Sequence, residues 1–338
     1  MGRLTIDGTL NLAQFWPDGE SDADTAKVVI DVGPGAVRYQ PLGQSPQPTT
    51  AYEGAFVKVY GSPKLVIKDD KLTVRLQGID APELHLQPQS MKGTKYKGQD
   101  LGSLRGTGLV KKYRQDQGET ATVRLAQYLG TLGPSPVSCQ FVTEVVDDEG
   151  PGDAIDKYGR FVGNVRVTNV DINLEILRRG WAVVALYNSM RRAEIEECLN
   201  AWNIGRNAPS GIVKYLTKTI AAFEPDLLYR GAADTEVQQE GTRRFIHPKL
   251  YRRQCTWWAY RKHGTFKSGF DTFLTLSEHD VFYELDDYLD DAPHVAVQVP
   301  IEKMVKNGRE VVYRPDEVVF KDAPSKLYGP DGEELEQW

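Results

Sequence analysis

Cysteine is scarce. Cys139, Cys198 and Cys255 stand far apart in 338 residues, and no CxxC pair occurs. That spacing excludes a disulfide framework and a thiolate zinc site. It leaves three free thiols packed as small apolar residues, as in a reducing compartment. A cytoplasmic location is the expectation, or secretion if a signal segment has been trimmed away. Histidine is scarce too, five in all, and the four of the tail, His247, His263, His279 and His294, show neither HxxxH nor HxH spacing, which speaks against an imidazole metal centre there. No run of ~18 apolar residues occurs, so no membrane-spanning helix and no membrane partner are expected. The opening MGRLTIDGTLNLAQFW lacks the basic-then-apolar profile of a secretion signal. A large excess of one charge is also missing: a net −6 argues against wholesale coating of nucleic acid. The imbalance is local. Residues 221–338 hold 15 Lys+Arg and 22 Asp+Glu, a net of −7, and residues 1–220 carry +1. A polyanion therefore finds the better surface in the first two-thirds, and the acidic tail suits a protein partner, a homo-oligomer contact or autoinhibition.

What is present reads as strands followed by helices. Residues 3–12 and 26–32 are short strands around the turn PDGESDADT, and 33–54, rich in Pro, Gly and Thr, is an irregular insertion. Strands resume at 55–60, 64–68 and 72–79, the last two joined by KDDK as a tight hairpin. Residues 84–118 are glycine-rich and basic and read as a mobile surface loop, whose Lys92, Lys95, Lys97, Lys111 and Lys112 are able to steer a phosphate backbone. A helix over 119–132, strands at 137–146 and 159–167, a helix capped by Asn169 or Asp171 and ended by Gly180, and a helix over 190–203 follow. Near 217–242 periodicity is lost, which marks a linker. Beyond it, Pro248 and Gly264 bracket a helix, Ser277 caps another through SEHDVFYELDDYLDD, and Asn307-Gly308 makes a two-residue hairpin turn. The aromatics of YRRQCTWWAYRK read as core rather than as a base-stacking surface. The pattern is α+β: a small β-barrel with helices packed on it, and a smaller C-terminal α+β domain over 243–338.

Within this frame VRLQGIDAPE, residues 74–83, is odd. Alternation accounts for its apolar positions but not for Arg75, Asp80 and Glu83 at a strand's end, where charges need water, each other or a ligand. DADT at 22–25 adds Asp24, and DKYGR at 156–160 adds Arg160 across a glycine turn. Each stretch alone has a plain reading: a solvated turn with Asp24 capping amides, an exposed strand arginine paired to a neighbouring carboxylate, a hairpin turn. Together they suit phosphodiester cleavage. Ca²⁺ takes carboxylate and carbonyl oxygens, which Asp24, Asp80 and the Ala81 carbonyl supply. Arg75 and Arg160 offer planar, charge-assisted donors to phosphoryl oxygens. Glu83 is left to orient or deprotonate the attacking water.

DADT, RLQGIDAPE, DKYGR, the helix INLEILRRGWAVV and the segment NIGRNAPSGIV occur in the order found in the staphylococcal nuclease (thermonuclease) family, which the chain resembles over about 3–215. Ala23 stands where the family has glycine, and Val213 where a tryptophan is usual. The resemblance implies an OB-fold five-stranded barrel with three helices over 1–216, with insertions near 33–54 and 84–118. It implies a calcium-dependent nuclease, an endonuclease-like hydrolase of DNA and/or RNA leaving 5′-hydroxyl and 3′-phosphate ends. By position, Arg75 and Arg160 match the phosphate-contacting arginines, Glu83 the general base, and Asp24 and Asp80 the calcium-binding aspartates. Lys157 and Tyr158 match the pair bordering the nucleotide, and Tyr187 falls near its stacking tyrosines. The alternative is a barrel that has lost its chemistry and serves as an adaptor for nucleic acid or protein. Such a barrel is expected to lack the arginines or the glutamate, and here all three stand.

Overall fold

A computed structural model describes residues 2–33, 35–145, 150–221, 227–229, 231, 242–276, 280–290, 296–322 and 325–338. The chain forms two compact units, one drawn from 1–77, 123–176 and 322–338, the other from 78–122 and 177–321.

The first unit is a barrel. Its strands are β1 (Gly2–Leu10), β2 (Thr25–Ile30), β3 (Lys71–Leu76), β4 (Val137–Val145) and β5 (Phe161–Val167). They pair in the order β1–β2–β3–β5–β4, and β4 returns to β1 to close the ring. All the pairs are antiparallel except β3 with β5. Alternation drives the closure: Leu4, Ile6, Val28, Leu72, Val74, Phe141, Phe161 and Val165 face inward and fill the interior. This is the OB-like five-stranded barrel that the resemblance implies. The KDDK hairpin forms as predicted, with Asp69 and Asp70 both at positive φ between the Lys68–Lys71 pair. The insertion at 33–54 is more regular than its composition predicts. Val37–Gln40 pairs with Arg3–Ile6 of β1, and Gln47–Pro48 pairs back onto it. Residues 322–338 also belong to this unit, where Trp338 stacks flat on Tyr39 (centroids 3.9 Å apart) and Tyr328 on Phe56.

The helices fall where periodicity predicts them: α1 (Gly118–Leu132), α2 (Ile172–Arg178), α3 (Arg192–Gly205) and α4 (Pro248–His263). Asp171, not Asn169, caps α2, its Oδ1 accepting the Leu174 N–H at 3.1 Å. Asn169 takes a positive φ in the preceding turn.

The second unit packs around α4, which begins at Pro248 and stops at Gly264 with φ 86°. Its sheet has the order β6 (Leu186–Tyr187), β9 (Val318–Phe320), β7 (Val281–Glu284), β8 (Val299–Pro300). Here the helix read through SEHDVFYELDDYLDD is corrected. Val281–Glu284 is a strand, because Phe282 is fully buried opposite Phe320 and Val299, and only Leu285–Asp290 is helical. The Ser277 cap lies outside the described residues, as does most of the 217–242 linker. The Asn307-Gly308 hairpin forms with three residues, Asn307 to Arg309, between the Lys306–Glu310 pair. The segment 84–118 is not the mobile surface loop expected. Leu101, Leu104 and Tyr113 are in the core, and Leu86 and Tyr113 exchange backbone bonds of 2.7 and 2.8 Å. Helix α4 pins it: Tyr260 Oη donates to the Gly102 carbonyl and Tyr251 Oη to that of Arg114, both at 2.7 Å. Tyr251 and Tyr260 of α4 are core residues, and Trp257 and Trp258 pack against them, as the sequence reading held.

Candidate active site

In the barrel unit, the antiparallel register of β2 on β3 sets Thr25 opposite Arg75, and the Leu76 N–H bonds the Asp24 carbonyl at 2.9 Å. Arg75 Nη1 ion-pairs with the Asp24 carboxylate, and both side chains are nearly buried. Arg75 is thus no exposed strand residue. A carboxylate and a guanidinium removed from water are tolerated there because each neutralises the other. Thr25 Oγ1 donates to Asp24 Oδ1 at 3.0 Å and accepts from Arg160 Nη1 at 3.4 Å. Arg160 stands at the head of β5, whose Val162 is in register with Arg75. Asp156 aims it. One carboxylate oxygen accepts from Arg160 Nε at 2.8 Å and Nη2 at 2.7 Å. The other accepts the backbone N–H groups of Tyr158 and Arg160, each at 2.9 Å. Gly159 closes this turn with φ 72°, and a Cβ on it would lie 3.0 Å from Val57. Lys157 is exposed beside the half-buried Tyr158, whose ring centroid is 5.3 Å from Lys157 Nζ and 5.5 Å from the Arg160 guanidinium.

Asp80, Ala81, Glu83 and Tyr187 belong to the second unit. The chain turns at Gly78 (φ 80°), where a Cβ would meet Cys198 Sγ at 2.6 Å. Ile79–Asp80 then pairs with Val183–Val184, which buries Asp80 to 1% exposure and Ala81 to 2%. A carboxylate so deeply placed needs a cation. Arg252 of α4 provides one: its Nη2 pairs with Asp80 Oδ1 and its Nε with Glu83 Oε1. Gln115 stitches the same segment to the residues leading into α4. Its N–H donates to the Glu83 carbonyl at 2.6 Å and its Nε2 to the Ile246 carbonyl at 2.7 Å. Nearby on α4, Lys249 Nζ lies 4.0 Å from the Phe320 ring centroid and 5.2 Å from that of Tyr187, while Arg253 Nε pairs with Asp280 at 3.0 Å. His247 is buried, and desolvation drives its imidazole down to about 4. The three cysteines are free and buried, and burial raises the thiols of Cys139, to about 12, and of Cys255, so those two are inert packing groups.

Residues 73–212 match the staphylococcal nuclease homologue family. The nuclease-like stretch takes in Arg75, Asp80, Ala81, Glu83, Lys157, Tyr158, Arg160 and Tyr187. It leaves out Asp24, which joins by its pairing with Arg75. No curated protein matches the chain. Arg252 lies outside the nuclease-like stretch, 172 residues from Asp80. Sequence reading missed it, because YRRQCTWWAYRK shows helical aromatics and no sign of which remote carboxylate an arginine meets. Thr25 and Asp156 were legible only as parts of DADT and DKYGR.

Calcium is what the resemblance attaches to the aspartates. The donors have the right chemistry, hard carboxylate oxygens, but not the right arrangement. Asp24 faces Arg75, and Asp80 and Glu83 face Arg252. Among the described residues no group of three or more His, Cys, Asp or Glu side chains is set to hold a metal. As arranged, these residues do not fit a cation that takes six to eight oxygens.

Proposed function

We propose that this protein is a nuclease, cleaving phosphodiester bonds of DNA or RNA to leave 5′-hydroxyl and 3′-phosphate ends. The observation that supports this reading best is the linked pair of arginines. Arg75 and Arg160 are fixed on neighbouring barrel strands through Asp24 and Thr25, and both fall in the stretch that matches the nuclease family. Two guanidiniums held by carboxylates are preorganised donors for the equatorial oxygens of a phosphoryl group, where negative charge grows as the bond breaks. In this reading Glu83 takes a proton from water, the water oxygen bonds to phosphorus, and the bond to the 5′ oxygen breaks as that oxygen takes a proton from a solvent water. Lys157 and Tyr158 border the bound nucleotide, the ammonium meeting phosphate and the ring offering a face to a base. Tyr187 is assigned the same stacking role. The resemblance attaches calcium to Asp24, Asp80 and the Ala81 carbonyl by position, but with Asp24 on Arg75 and Asp80 on Arg252 these oxygens do not fit the ion as arranged, and no step above runs through it.

The test is incubation of the full chain with single-stranded and double-stranded oligonucleotides, with Ca²⁺ and with a chelator, followed by mapping of the ends. Cleavage that needs the cation and yields ends resistant to polymerase extension until a phosphatase is added is expected. Absence of cleavage under any divalent cation would overturn the reading and leave a nucleic-acid or protein adaptor.

A further inference from the structure

We infer that Arg252 is an internal counter-cation that closes the Asp80–Glu83 pair to a divalent ion, so that helix α4 restrains the site. The inference rests on the hydrolytic role proposed for that pair, and it names how the site is regulated. One guanidinium reaches both carboxylates by different nitrogens, Nη2 to Asp80 and Nε to Glu83. A planar fork with donors on two edges spans two acceptors in this way, and a point-charge ammonium does not. While it is there, one oxygen of each carboxylate, Oδ1 of Asp80 and Oε1 of Glu83, is engaged by an N–H group that a cation or a water would have to displace. A divalent cation competes with the guanidinium for the same two carboxylate groups, which makes the closure reversible.

Neighbouring contacts show why α4 holds this arginine in place. Gln115 ties the backbone of Glu83 to Ile246, just ahead of the helix, and Tyr251, next to Arg252, bonds the Arg114 carbonyl. Of the adjacent cations, Arg253 pairs with Asp280, and Lys249 lies over the rings of Phe320 and Tyr187 while also feeling the charge of Asp80. Arg252 keeps 26% of its side chain exposed, against 1% for Asp80, so the guanidinium has a way out to water with α4 left folded. The acidic tail was expected to act through its negative charge; the contact described here is made by one of its arginines.

Calcium binding measured by calorimetry, with terbium luminescence as a second readout, tests this on the full chain. Arg252→Gln is expected to bind Ca²⁺ about tenfold or more tightly than the wild type, within the usual range of a coupling between two competing occupants. Arg253→Gln, whose side chain pairs with Asp280, is expected to bind as the wild type does. Arg252→Lys, whose ammonium cannot bridge both carboxylates, is expected to lie between. If Arg252→Gln keeps the wild-type circular dichroism and binds Ca²⁺ no tighter, the inference is overturned. If it fails to fold, an unchanged affinity in folded Arg252→Lys overturns it equally. Oligonucleotide cleavage by the same proteins separates the two proposals. Tighter binding without cleavage keeps the restraint and removes the nuclease, and cleavage with an unchanged calcium requirement does the reverse.

Discussion

Single side chains decide the chemistry proposed here. Arg160 is held by three contacts to Asp156 and one to Thr25. If it meets the phosphoryl group as charge develops, Arg160→Ala lowers kcat by about 10²–10³ and leaves the melting temperature near its original value. Arg160→Lys recovers little, because an ammonium lacks the fork. Steady-state cleavage of a fluorogenic oligonucleotide measures both. Asn173 does comparable work for the scaffold. Its Nδ2 donates to the carbonyls of Gln77 and Gly163 and to Asn164 at 2.9–3.0 Å, and its Oδ1 accepts the Val165 N–H at 3.2 Å. Asn173→Ala strands buried backbone groups and costs about 2–4 kcal/mol by urea denaturation. His247 makes stability depend on pH. Burial lowers it to about 4, outweighing Asp80, which pulls the other way, while Lys249, Arg252 and Arg253 add to the depression. The unfolded chain therefore binds a proton from about pH 6.5 downward that the folded chain refuses until about pH 4. Stability is full above that window and falls through it, by up to about 3 kcal/mol. Melting temperatures between pH 7 and 4 check the slope, which His247→Asn flattens.

At the scale of elements, much of the architecture was legible because short-range rules govern it. Alternation placed all five barrel strands, Asp69-Asp70 marked the hairpin that leads into β3, and Pro248 and Gly264 marked the ends of α4. The misreadings have one cause, in that tertiary contacts decided segments whose local pattern was weak. Residues 84–118 have the composition of a loop, yet leucines without period are buried by α4, and its tyrosines satisfy the carbonyls of Gly102 and Arg114. In 281–284, helical spacing of Val281 and Leu285 competed with strand pairing to Phe320, and pairing won. Gly78 carries an element-level prediction. It turns the chain between the strand bearing Arg75 and the segment bearing Asp80, at a φ that side chains avoid and against Cys198. Gly78→Ala is expected to cost about 1–3 kcal/mol in chemical denaturation.

For the molecule as a whole, neither unit is one continuous stretch of chain. Residues 322–338 complete the barrel unit through the Trp338–Tyr39 and Tyr328–Phe56 stacks. Ending the chain at 321 is therefore expected to weaken the barrel by about 2–4 kcal/mol, read as an earlier loss of tryptophan fluorescence in urea, rather than to free it of a dispensable tail. The site was half legible for the same reason. Arg75, Asp80 and Glu83 lie within nine residues, and DKYGR carries its own turn, so the sequence alone marks them as candidates. Arg252 is brought to the carboxylates by folding alone.

The separation of 172 residues between Asp80 and Arg252 has a consequence during synthesis. At about 5–20 residues per second, a ribosome delivers the two acids on the order of 10–30 s before the arginine. In that interval the nascent chain holds a pair of carboxylates with no α4 to neutralise them, so they stay with water and its dissolved cations until the helix is made.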